Sequence, residues 1–112
     1  MEQRFHENLK IKMDEFVHLV YRISKNFPKD ELYGVTSQLR RSALSVILNY
    51  IEGYARIKSK VYRNFLEISY GSLKEAKYLL HFSLKENYLI DLLRNKNRNE
   101  NLRFLAKKLI EF

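Results

Sequence analysis

The chain has 112 residues, the size of one ordinary domain, and is 46% hydrophobic and 30% charged with three glycines and one proline. That is too apolar for a disordered chain and too poor in turn residues for a many-stranded β fold. A formal net charge of +8, from 21 Lys plus Arg against 13 Asp plus Glu, favours polyanionic partners. With no cysteine, disulfides, thiolate metal sites and a cysteine nucleophile are excluded. The opening residues carry scattered charges and no apolar signal core, and no window approaches 18 uncharged apolar residues, so a soluble cytoplasmic protein is expected.

From Glu2 to about Asn26, Phe5, Leu9, Met13, Phe16, Val17, Val20 and Ile23 recur at steps of three and four, one stripe of an amphipathic helix. Phe27-Pro28 ends it, because proline pushes the residue before it out of the helical region. A second helix is predicted from about Lys29 to Tyr54, with Leu32, Val35, Leu39, Ala43, Val46, Tyr50 and Tyr54 on its stripe. Leu44, Ile47, Leu48 and Ile51 widen its apolar surface to almost the full circumference, more than one partner face can bury. Arg56 to Lys60 form a basic connection in which Ser59 is the expected N-cap of a third helix, over about 59–85. That helix uses Tyr62, Phe65, Ser69, Ser72, Ala76, Leu79 and Ser83, with Ile68, Leu73 and Leu80 alongside. Gly71 in its interior costs about 1 kcal/mol relative to alanine and predicts close approach of a neighbouring helix. Glu86-Asn87-Tyr88 reads as a turn, and a fourth helix is predicted over about 90–111 with an asparagine-rich middle. The expected fold is therefore one all-α domain over 1–112, an antiparallel up-down-up-down four-helix bundle.

The charge is unevenly placed. Residues 34–63 hold six basic groups against one acidic, +5 of the +8, namely Arg40, Arg41, Arg56, Lys58, Lys60 and Arg63, with Tyr54 and Tyr62 interleaved. Cations near aromatic faces suit phosphate contact combined with base stacking, and binding of that kind weakens with salt. A solvated turn with ordinary surface charge is the plainer reading.

Catalytic chemistry finds little support. Glu15 and His18 share the Glu-x-x-His spacing of di-iron bundles, but His6 and His81 have no glutamate three residues before them, so the ligand set is incomplete. No nucleophile elbow or phosphate-cradling glycine loop is present. No metal, no cofactor and no enzymatic activity are expected. Asn49 and Glu52 lie in or beside the most apolar stretch and read as hydrogen-bond or ion-pair anchors, since a buried carboxylate must be paired or neutralised.

The run Phe27-Pro28-Lys29-Asp30-Glu31-Leu32-Tyr33-Gly34-Val35-Thr36-Ser37-Gln38-Leu39-Arg40-Arg41-Ser42-Ala43 resembles the signature of a bacterial family, the 23S rRNA intervening-sequence proteins. Asn49, Glu52 and Gly53 match its Asn-x-x-Glu-Gly element, and Gly71, Ser72 and Glu75 fall in its Gly-Ser-Leu-x-Glu element. The resemblance implies an antiparallel four-helix bundle assembling into a homopentamer, with no established enzymatic activity. It also implies a structural relationship to the accessory proteins of diversity-generating retroelements, which associate with nucleic acid. Ile47, Leu48 and Ile51 stand where such proteins commonly have proline, a small residue and alanine, which implies a straighter, bulkier second helix here. The expected function is a non-enzymatic oligomeric scaffold binding RNA or DNA nonspecifically. The alternative is a module that recruits a protein partner through the apolar surface. No membrane role is expected.

Overall fold

The computed structural model describes residues 2–88 together with Ala106 and Leu109. Among them are three α-helices and no strand: α1 (Glu2–Ser24), α2 (Val35–Ala55) and α3 (Tyr62–Lys85), with a single 3-10 turn at Lys29–Glu31. The chain is therefore all-α. The predicted fourth helix over 90–111 lies outside the described residues except for Ala106 and Leu109, both helical and both buried in the core.

Successive helices run antiparallel. His6 near the start of α1 meets Tyr50 and Tyr54 near the end of α2, while Ser24 at the other end of α1 meets Arg40. Ser45 and Val46 of α2 face Ser72 and Ser69 of α3 in reversed order. The core is built from Phe16, Val17, Val20 and Ile23 of α1, Leu39 and Ala43 of α2, and Ala76, Leu79 and Leu80 of α3, with Phe27, Ala106 and Leu109. Complete burial of side chains such as Ile23, Leu39 and Leu80 stabilises the fold by roughly 1.5–3 kcal/mol each. Helix α2 packs most extensively on α3, through small residues. Ser69 donates to the Val46 carbonyl at 2.6 Å, the Ser45 and Ser72 hydroxyls are 2.7 Å apart, and Ala43 and Ala76 are fully buried. Small side chains let the two helix axes come together, and the hydroxyls satisfy one another inside the contact.

The boundaries differ from expectation where side chains outside the helical periodicity intervene. Helix α1 stops at Ser24 rather than Asn26, because Asn26 and Phe27 bond three residues back and Pro28 follows. Helix α2 begins at Val35, not Lys29. After the 3-10 turn Gly34 takes φ −110° and ψ −113°, outside the helical well, and Leu32 and Tyr33 are left exposed. Glu31 is held across the fold by the Tyr88 phenol, which donates to its Oε2 at 2.6 Å. Helix α3 begins at Tyr62, because Ser59 accepts the Val61 N–H at 3.1 Å within the turn and does not cap the helix. At its far end the predicted turn is present. Asn87 has φ 60°, the Tyr88 N–H bonds the Ser83 carbonyl and the Asn87 N–H bonds the Leu84 carbonyl, a Schellman arrangement with asparagine in the left-handed position.

The bond to Glu31, then burial and the nearby charges of Glu31 and Glu86, push the Tyr88 phenol up to about 12. Its folded value lies above its ordinary value of 10.0, so this contact contributes its full stabilisation below about pH 10 and loses it as pH rises through about 12. Melting temperatures measured between about pH 9 and about pH 12 are expected to fall less steeply in Tyr88→Phe than in the parent. Identical slopes would refute the linkage.

Candidate nucleic-acid interface

The last turn of α2 and the first turn of α3 close on each other at Gly53. A Cβ there would lie 3.1 Å from both the Leu66 Cδ2 and the Phe65 Cβ, and 3.2 Å from the Tyr62 carbonyl oxygen. This close approach leaves a short, wound connection. Arg56 caps α2 with its N–H on the Gly53 and Tyr54 carbonyls, Ser59 N–H bonds the Arg56 carbonyl at 2.8 Å, and Asn64 and Phe65 bond back to Val61.

Four of the six basic residues singled out from the sequence converge on this connection. Arg56 pairs with Glu52 at 3.2 Å and lies 5.7 Å from the Phe65 ring centroid, and Arg63 pairs with Glu67 at 3.3 Å. Both pairs are solvent-exposed i,i+4 contacts, worth about 0–1 kcal/mol, so neither arginine is withdrawn from an incoming anion. Lys58 and Lys60 are exposed and have no carboxylate partner among the described residues. Arg56, Ile57, Lys58 and Ser59 line a shallow groove, and Ile57, Val61 and Tyr62 are exposed among the cations.

The other two residues belong elsewhere. At about 1.5 Å per residue, Arg41 and Arg56 stand about 22 Å apart along α2, so the six do not form one surface. Arg40 is a strap between helices. Its Nε donates to Ser24 Oγ at 2.7 Å, its Nη2 points at the Tyr21 carbonyl at 3.5 Å, and its guanidinium stacks 4.7 Å from the Tyr21 ring centroid. Arg41 is exposed and borders a groove with Tyr21, Leu32, Tyr33 and Ser37. On α1, Glu15 is exposed and the His18 Nε2 is 3.3 Å from Asp14 Oδ1, and among the described residues no three His, Cys, Asp or Glu side chains gather as a metal site.

One cluster was not anticipated. His6 Nδ1 is hydrogen-bonded to the Tyr50 hydroxyl, and the His6 ring lies 4.2 Å from that of Tyr54. Burial, then the neighbouring Tyr54, pushes the Tyr50 phenol up. The spacing of Tyr50 and Tyr54 already set two rings on one helical face, but nothing in the pattern of α1 marked His6 as their partner.

Residues 8–110 match the family described as 23S rRNA-intervening sequence protein. The chain belongs to this family. No curated protein matches it.

In this family member the motif residues have identifiable structural work. Asn49 Nδ2 donates to both the carbonyl and the hydroxyl oxygen of Ser45 at 2.9 Å, and Ser45 meets Ser72, so the two motif elements are joined through one serine across α2 and α3. Glu52, expected in or beside the apolar stretch, is exposed and serves Arg56, because it projects from the outer side of the helix. Glu75 is exposed on α3. Gly71 departs from expectation: a Cβ there would meet nothing within 4 Å, and the residue is exposed. The close approach that the sequence suggested at Gly71 occurs instead at Gly53. Gly71→Ala is therefore expected to raise the unfolding free energy of the dilute subunit by about 1 kcal/mol in a denaturant titration, the ordinary gain of alanine over glycine in a helix. A loss of stability would mean that another chain contacts this face.

Proposed function

We propose that this protein is a non-enzymatic helical scaffold that binds RNA or DNA without sequence specificity through the connection between α2 and α3. The observation that carries the reading is the convergence of Arg56, Lys58, Lys60 and Arg63 on one short exposed connection, flanked by Tyr54 and Tyr62. The site is thus the end of the α2–α3 hairpin rather than the length of α2. Phosphate contacts made by flexible cations give affinity and little sequence reading.

The same proposal extends to the assembly. Ala106 and Leu109, three residues apart and buried, support a fourth helix that closes an antiparallel four-helix bundle. The exposed Leu48 and Ile51 on α2 support a homo-oligomer. The family resemblance favours a pentamer in a bacterial cytoplasm, related to the accessory proteins of diversity-generating retroelements. No helix among the described residues is long and apolar enough to cross a membrane. The strip on α2 also favours a second reading, a module recruiting a protein partner, in which the charge serves solubility.

Titrating labelled structured RNA at two salt concentrations separates the readings. If the connection neutralises between two and four phosphates of unpaired RNA, affinity should fall about 7-fold to about 50-fold between about 50 mM and about 200 mM salt. No binding at the lower salt, or binding indifferent to salt, would remove nucleic acid as the ligand.

A further inference from the structure

Resting on the nucleic-acid reading, we infer that the rings gathered at the same end of the molecule form a stacking platform for unpaired bases, so that the ligand is a single strand rather than a duplex. The antiparallel packing of α1 on α2 delivers Phe5 and His6 to the turns that carry Tyr50 and Tyr54, just before the basic connection. The Phe5 ring meets His6 edge-on at 5.7 Å and 76°, His6 lies on Tyr54 at 4.2 Å, and Tyr54 is stacked parallel to Tyr50 at 6.3 Å and 6°. The foot of this ladder is fixed, because Tyr50 is buried and its hydroxyl is bonded to His6. The outer rings are open, with Phe5 62% exposed and Tyr54 37%. Tyr62, also 37% exposed, begins α3, where Gly53 of α2 lies against its carbonyl.

Fixed rings with free faces and flexible cations a few residues away are the two components of single-strand recognition. A duplex offers phosphates to Lys58 and Lys60 but keeps its base faces inside the stack, leaving Phe5, Tyr54 and Tyr62 against water. A single strand offers both at once. The Tyr50 hydroxyl is already used by His6, and stacking on the faces of the outer rings tolerates every base. Exposed apolar groups among lysines would also suit an anionic lipid surface, which the experiment below separates.

The probes are a labelled oligouridylate of about sixteen nucleotides and a labelled hairpin duplex of equal length, read by anisotropy at low salt together with intrinsic tyrosine fluorescence. The chain has eight tyrosines and no tryptophan, so a stacked base reports directly as quenching. Oligouridylate should bind more tightly than the duplex and quench the fluorescence. Phe5→Ala and Tyr62→Ala should each weaken oligouridylate binding by about fivefold or more without affecting the duplex, while Lys58→Gln weakens both. Phe5→Leu, which keeps the apolar volume and removes the ring, should behave like Phe5→Ala, with circular dichroism checking that each variant is folded. Equal binding of both probes, or ring variants indistinguishable from the parent, would overturn the stacking platform and leave the cationic site standing. No binding of either probe by the parent would overturn both readings. Tighter binding to phosphatidylglycerol vesicles than to either probe, lost in the same ring variants, would assign the surface to a membrane and overturn the inference.

Discussion

Replacing Arg56, Lys58, Lys60 and Arg63 together by glutamine is expected to lower RNA affinity by roughly two orders of magnitude or more at about 50 mM salt, and to flatten its salt dependence. The size of the effect follows from counterion release. Each phosphate neutralised on a single strand contributes about 0.7 to the slope of log affinity against log salt, so removing two to four contacts should lower that slope by about 1.4 to about 2.8. The range reflects the two carboxylates on the connection. Glu52 and Glu67 already sit beside Arg56 and Arg63, so part of each arginine's charge is compensated before a ligand arrives. Arg41→Gln, about 22 Å along the helix, is the matched control and should change the slope by little. Arg40 is unsuitable for that purpose, because its removal strips Ser24 and Tyr21 of a half-buried partner and would lower stability. An unchanged salt slope in the fourfold variant, with the fold intact by circular dichroism, would show that the connection makes no phosphate contacts.

Periodicity revealed most of the helices because the core obeys it. Phe16, Val20 and Ile23, then Leu39, Ala43 and Val46, then Ser69, Ser72, Ala76 and Leu79 follow the stripes read from the sequence and are buried. What it could not reveal were contacts between residues far apart in the chain. In the sequence Arg40 is indistinguishable from its neighbour Arg41, because only the arrival of Tyr21 and Ser24 from α1 makes it a strap. The start of α2 is hidden from the sequence for the same reason: Leu32 continues the apolar stripe of Val35 and Leu39, but Glu31 is drawn to Tyr88, 57 residues away, and the chain turns at Gly34. The close approach that an interior glycine suggests at Gly71 is found at Gly53 instead, since which face of a helix meets its neighbour depends on packing and not on the glycine itself. Within the candidate site, the charge count found the four cations at the connection, whereas the ladder built on His6 depended on the antiparallel placement of α1.

The double variant Leu48→Lys with Ile51→Lys is expected to convert an assembled protein to monomers. On α2, Leu44, Leu48, Ile51 and Ala55 recur at helical spacing on the side away from Ser45, Asn49 and Gly53, which face α3. Leu44 is half-buried in the subunit, but Leu48 remains 55% exposed and Ile51 44%. Fully burying one such side chain is worth about 1.5–3 kcal/mol, so covering the exposed half of each gains roughly 1 kcal/mol per residue for every subunit in a ring. Lysine at both positions removes that gain and adds two charges whose burial costs far more unless each finds a partner. The fold itself should tolerate the change, because both side chains point outward in the subunit. Light scattering should therefore give a multiple of 13.6 kDa for the parent and 13.6 kDa for the double variant, with matching circular dichroism. A parent that is monomeric at every concentration would remove self-association as the role of the strip and favour a protein partner instead. An assembled double variant would mean that subunits meet elsewhere, with the open face around Gly71 the next surface to test.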